Sequence, residues 1–186
     1  ALALHAGPPA PTSLGAVFSA ALKQISLSWA ASTGTVAGYK VYRATYSASS
    51  VAGRAPLLTG TTTTAFVDTP STAFDSTYYY LVTAVDPVGN EGAPSNQSAV
   101  VFDVHAPMIT ITGVSNGQYT SANLTPAVTI TDFSPRVATV TLNGQPFVSG
   151  TSLTQPGTYF LDVSGQDAFG SSSTATAFFT IDKTSP

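Results

Sequence analysis

The chain has no cysteine among its 186 residues, and only 8% of them are charged. Without thiols, neither disulfides nor thiolate nucleophiles are available, and redox state says nothing about compartment. Six basic residues against nine acidic ones leave a net charge of −3, and the basic residues are scattered. A phosphate backbone needs a clustered positive stripe, so nucleic acid is excluded as a partner. No apolar run reaches the length that spans a bilayer, no stretch repeats at helical spacing, and no basic amphipathic segment suggests a membrane surface. Two histidines, His5 and His105, each lie near linker prolines; two scattered imidazoles do not make a metal centre.

What is abundant points to strands and turns. Hydrophobic residues make up 43% of the chain, with 15 glycines and 13 prolines, and Thr and Val suit pleated strands while Gly and Pro punctuate them. ISLSWAAS alternates Ile25, Leu27 and Trp29 against Ser26 and Ser28. GYKVYRA sets Tyr39 and Val41 opposite Lys40 and Tyr42, and TTTTAFVDT forms another strand ending at Asp68. MITIT, PAVTITD, VATVTLNGQPFV, GTYFLDVSG and STATAFFTID continue the rhythm. Asn143-Gly144, between alternating runs, predicts a type I′ hairpin, which needs positive φ at both central residues.

The length suits two modules of about 80 to 100 residues, and two internal echoes place them. TYYYLVTAVDPVGNEG at 77–92 returns more faintly as TYFLDVSGQDAFGSSS at 158–173. FDVHAP at 102–107 and IDKTSP at 181–186 each carry an Asp followed four positions later by Pro. The expected organisation is a tail over 1–7 and modules over 8–103 and 104–186, the last ending in a linker toward a further module. The fold class that follows is all-β, two antiparallel β-sandwiches in tandem. In each echo the strand enters through a tyrosine corner and leaves through an Asp-led turn. Tyr78 and Tyr159 are the expected corner residues, Asp86 and Asp167 the turn residues.

Residues 8–103, with Pro11, Leu14, Trp29, GYKVYRA, Tyr78, Tyr80, Val82, Ala84 and DPVGNEGAPS, resemble a fibronectin type III domain of the bacterial extracellular kind. Residues 104–186 resemble the bacterial immunoglobulin-like repeats of tandem-module surface proteins, through PMITITGVSNG, VTLNGQPF and IDKTSP; DAFGSSS departs from the D-x-x-G-N-x-S turn common in such repeats. The resemblance implies a secreted or surface-attached bacterial protein and a structural, spacer or adhesive role. Its partners would be neighbouring modules or identical subunits, with polysaccharide as the second class.

No catalytic, cofactor or metal residues are assigned. No nucleophile elbow, P-loop or dinucleotide fingerprint is present, and the carboxylates sit mostly at strand ends and turns, so an enzyme is not expected. Asp86, Asn90 and Glu91 gather oxygens in one loop and Asp103 lies at the module junction, but neither group supplies the six to eight ligands that calcium takes. Four aromatics are candidate contact residues. Tyr42 and Tyr79, outward on strands that the resemblance makes neighbours, would form a flat platform or a cross-strand pair that stabilises its own sheet. Phe133 and Phe169 lie at turns. Self-assembly into an extracellular filament by strand addition, and a carbohydrate-binding accessory role, are the competing functions.

Overall fold

A computed structural model describes residues 7–184. They form fourteen strands and no helix, in two compact units that divide between Val104 and His105. No helix among the described residues is long and apolar enough to cross a membrane.

The first unit contains β1 (Thr12–Ser19), β2 (Gln24–Ala30), β3 (Gly38–Ala44), β4 (Leu58–Thr61), β5 (Ala65–Asp68), β6 (Ser76–Val85) and β7 (Ser98–Phe102). β1, β2 and β5 make one antiparallel sheet, and β4, β3, β6 and β7, in that order, make the other. Alternation decides which side chains lie between them. Ile25, Leu27 and Trp29 of β2 face Tyr39 and Val41 of β3, with Tyr80, Val82 and Ala84 of β6 beside them, and all are buried. Trp29 meets Tyr39 edge-on at 5.6 Å; Phe18 and Tyr78 pack on Phe102 at 5.0 and 5.8 Å.

The second unit contains β8 (Met108–Thr112), β9 (Gln118–Thr120), β10 (Ala127–Thr131), β11 (Pro135–Leu142), β12 (Gln145–Pro146), β13 (Gly157–Asp167) and β14 (Ser172–Ile181). β8 pairs with β10, and the order β12-β11-β13-β14-β9 makes the larger sheet. Ile109, Ile111, Val128 and Ile130 of the small sheet close over Leu161, Val163, Ala177, Phe179 and Ile181 of the large one. Both units are β-sandwiches. Asn143 and Gly144 have φ of 51° and 77° and join Leu142 to Gln145, the two-residue hairpin expected of an Asn-Gly pair.

One pairing departs from an all-antiparallel plan: β9 runs parallel to β14. After β8 the chain changes sheets at Gly113, whose φ is +79° and where a Cβ would sit 2.1 Å from the Thr125 carbonyl oxygen. Only glycine fits that crossing. The following residues then reach the far edge of the large sheet in the same direction as β14.

Tyr159 opens β13 as a corner residue. Its ring stacks on Phe179 at 5.5 Å, and its hydroxyl donates to the Gln155 carbonyl, four residues upstream, at 2.9 Å. Tyr159→Phe keeps the ring and removes the bond, so chemical denaturation of the variant should show a loss of about 1 kcal/mol.

Candidate contact sites and polar clusters

The turn that closes each echo is built alike. Asp86 Oδ1 accepts from the backbone N–H groups of Val88 (3.0 Å) and Asn90 (2.8 Å). Asp167 Oδ1 accepts from those of Phe169 and Ser171, both at 2.8 Å. In each case a carboxylate placed at the strand end satisfies the donors of the turn that follows it. Asp86 is held below its usual value by the hydrogen bond from the Asn90 side chain and by those backbone donors.

On β6, the strand of the first echo, the hydroxyl of Tyr80 bonds upstream. It donates to Asp68 Oδ2 at 2.6 Å, and Arg43 Nη1 donates to both oxygens of the same carboxylate at 3.0 and 2.8 Å. Asp68 ends β5 in one sheet, whereas Arg43 and Tyr80 lie on β3 and β6 of the other, so three polar groups clamp the two sheets together. Tyr78, expected to make the corner, lies beneath Arg43 instead, with the guanidinium carbon 4.9 Å from its ring centroid.

A second polar cluster covers the outer face of β3 and β6. Residues 91–95 lie along β6, with Gly92 N–H donating to the Ala84 carbonyl and Ser95 N–H to that of Val82. This brings Glu91 over the sheet, where it accepts from Lys40 Nζ, the Tyr42 hydroxyl and Thr83 Oγ1, each at 2.6 Å. Burial pushes the Glu91 carboxyl up, but its hydrogen bonds to Lys40, Thr83 and Tyr42 outweigh that and hold it below the ordinary range.

The Tyr42–Tyr79 platform is therefore corrected. Tyr42 is 4% exposed, and its register partner is Leu81, while Tyr79 lies opposite Ala44. With Tyr42 buried and its hydroxyl bonded to Glu91, the two rings form no exposed platform. Burial, and then the Glu91 hydrogen bond, push the Tyr42 hydroxyl up to about 12. Burial and the bond to Asp68 push Tyr80 up as well. A raised folded pKa stabilises below the unfolded value and ceases to do so as pH climbs through the folded one. The first unit should thus lose stability from about pH 10 upward, toward and beyond the Tyr42 value of about 12. Tyrosinate absorbance should rise in two stages, the later one coincident with unfolding.

Of the other candidates, Phe133 is 49% exposed in the β10–β11 connection, and Phe169 is half-buried in the turn after β13. Asp103 is fully buried just after β7, and His5 lies outside the described residues. A different aromatic group, not singled out from the sequence, lies bare on the outer face of the large sheet. Phe160 and Phe178 are direct cross-strand partners, 45% and 48% exposed, and Tyr119, on the adjoining β9, is 69% exposed. Asn143 flanks Phe160, and Gly117, which has no side chain, bonds to the Phe178 carbonyl. The doublets Tyr159-Phe160 and Phe178-Phe179 are the signal that could have found this face. In a strand, one ring of each doublet must turn outward.

The three-on-four strand order and single core of the first unit define a fibronectin III-like sandwich. No protein-family model matches the chain, and no curated protein matches it. Among solved structures, it is similar to a Fn3-like protein from Clostridium thermocellum at 32% identity and a TM-score of 0.43, over 50% of this chain and 92% of that one. It is also similar to pectate lyase Pel3 from Pectobacterium carotovorum at 23% identity and a TM-score of 0.40, over 60% of this chain and 34% of the lyase. Fibronectin(III)-like modules of Clostridium thermocellum CbhA align at 15% identity and a TM-score of 0.34, over 94% of this chain and 91% of theirs.

Proposed function

We propose that the chain is a non-catalytic module pair of a bacterial extracellular or surface protein, a fibronectin type III-like sandwich followed by an immunoglobulin-like one, acting as a spacer or adhesive segment. The observation that carries this reading is what its carboxylates do. Asp68 clamps two sheets, Asp86 and Asp167 hold turns, and Glu91 pins a loop to a sheet face. Asp68, Asp86 and Glu91 are committed to hydrogen bonds within a packed sandwich, as is Asp167 through Oδ1, where an acid–base catalyst must instead be free to exchange a proton with a bound substrate.

The test is a turnover screen of the purified chain on polysaccharide, ester and peptide substrates, with electron microscopy of the same material. The reading expects no turnover, and separate particles rather than fibres. Turnover abolished by Asp68→Asn or Glu91→Gln would overturn the non-catalytic assignment, and ordered fibres would favour the filament reading instead.

The bare rings of Phe160, Phe178 and Tyr119 support an adhesive form of this role, because flat aromatic faces on a rigid sheet receive sugar rings or apolar protein surfaces. A glycan array probed with the wild-type chain and with a Phe160→Ser/Phe178→Ser variant separates the two uses. Signals lost in the variant assign the face to carbohydrate, and a silent array leaves protein as its partner.

A further inference from the structure

The two echoed turns differ at one atom. In the first unit both oxygens of the turn aspartate are satisfied, because the Asn90 side-chain amide donates to Asp86 Oδ2 at 2.8 Å while the backbone serves Oδ1. The second unit has Ser171 at the position corresponding to Asn90. Its backbone N–H reaches Asp167 Oδ1 as Asn90's reaches Asp86, but no amide follows. Asp167 Oδ2 has no hydrogen-bond partner among the described residues, and Asp167 is fully buried.

A second carboxylate stands beside it. Asp132 leaves β10 for the connection to β11, which starts opposite Asp167, and carboxylate oxygens of Asp132 and Asp167 lie within 4.8 Å of one another. Asp132 Oδ2 accepts from the Ser134 backbone N–H at 3.1 Å. A buried anionic oxygen without a donor is costly, and a neighbouring carboxylate adds repulsion. Both penalties vanish if a hard cation sits between the two groups.

The geometry points to a calcium-type divalent cation site at Asp132 and Asp167 in the second unit. The two carboxylates supply the anionic ligands, and water completes a shell of six to eight oxygens. Two carboxylates make a weak site, matched to the millimolar calcium that extracellular modules meet. The sequence alone does not show this site, because Asp132 and Asp167 are far apart in the chain and only the fold brings them together.

The experiment uses the whole chain, stripped with chelator and titrated with Ca2+ by calorimetry, with thermal unfolding followed in parallel. Saturable binding is expected with a Kd of about 10⁻⁴–10⁻³ M, together with an upward Tm shift that grows with calcium concentration. Ser171→Asn is the decisive variant. It restores the amide that the first unit uses, so it should raise the Tm in chelator and weaken calcium binding by at least about tenfold, since the amide then occupies Oδ2. Asp132→Asn should weaken binding similarly, and its half-buried position lets the fold tolerate the change. Absence of heat and of any Tm shift at ~10 mM Ca2+, ten times the weakest expected Kd, would overturn the site. So would unchanged binding in both variants, or an equal Tm shift with sodium at matched ionic strength.

Discussion

Asp68→Ala should destabilise the first unit by about 2–4 kcal/mol and lower its Tm by roughly 10 °C or more. The loss does not come from one bond. Asp68 is 4% exposed and is the shared acceptor for Arg43 and Tyr80, so its removal strands a guanidinium and a hydroxyl together. Breaking a buried pair from one side costs about 3–5 kcal/mol, and the lower figure here reflects the 28% exposure of the Arg43 side chain, which lets water reach it. Asp68→Asn keeps an acceptor of the same shape and should recover a good part of the loss. A double-mutant cycle between Asp68→Ala and Arg43→Ala, read by urea unfolding, isolates the pair. Additive effects would remove the clamp from the account.

Phe179→Ala should destabilise the second unit by about 3–5 kcal/mol. The side chain is completely buried and stacks on Tyr159 between the two sheets, so its deletion removes transfer free energy and leaves a cavity in a small core. Its neighbour supplies the control. Phe178, one residue earlier, is 48% exposed, and truncation there should cost well under 1 kcal/mol, as surface substitutions ordinarily do. Equal effects at the two positions, measured by chemical denaturation, would contradict the assignment of inward and outward faces along β14.

That assignment is legible in the sequence. Ile25, Leu27 and Trp29, and likewise Tyr159, Leu161 and Val163, announce their inward faces by alternation, because successive strand residues point to opposite sides. Asn143-Gly144 announces its turn because few other pairs take positive φ twice. Tyr159 could be read as a corner from the Pro-Gly-Thr that precedes it. Tyr42 could not be read correctly in the same way. Alternation places it outward, as it is, but its burial comes from Glu91, which reaches it from another strand's end. The bare rings of Phe160 and Phe178 were within reach of the doublet argument, but their exposure depends on nothing else among the described residues packing over the outer face of the large sheet.

The sequence by itself determined the strands, the faces of each strand and the hairpin, since those follow from φ preferences and period-two patterning among neighbours in the chain. Only the tertiary structure decided that Asp68 meets Arg43 and Tyr80, that β9 runs alongside β14 through the crossing at Gly113, and that Asp132 stands against Asp167. Hydrogen bonding, close packing and charge act over a few ångströms in space, whereas the residues they join here are separated by long stretches of chain. A local pattern therefore says which way a side chain points, and the fold alone says what it meets there.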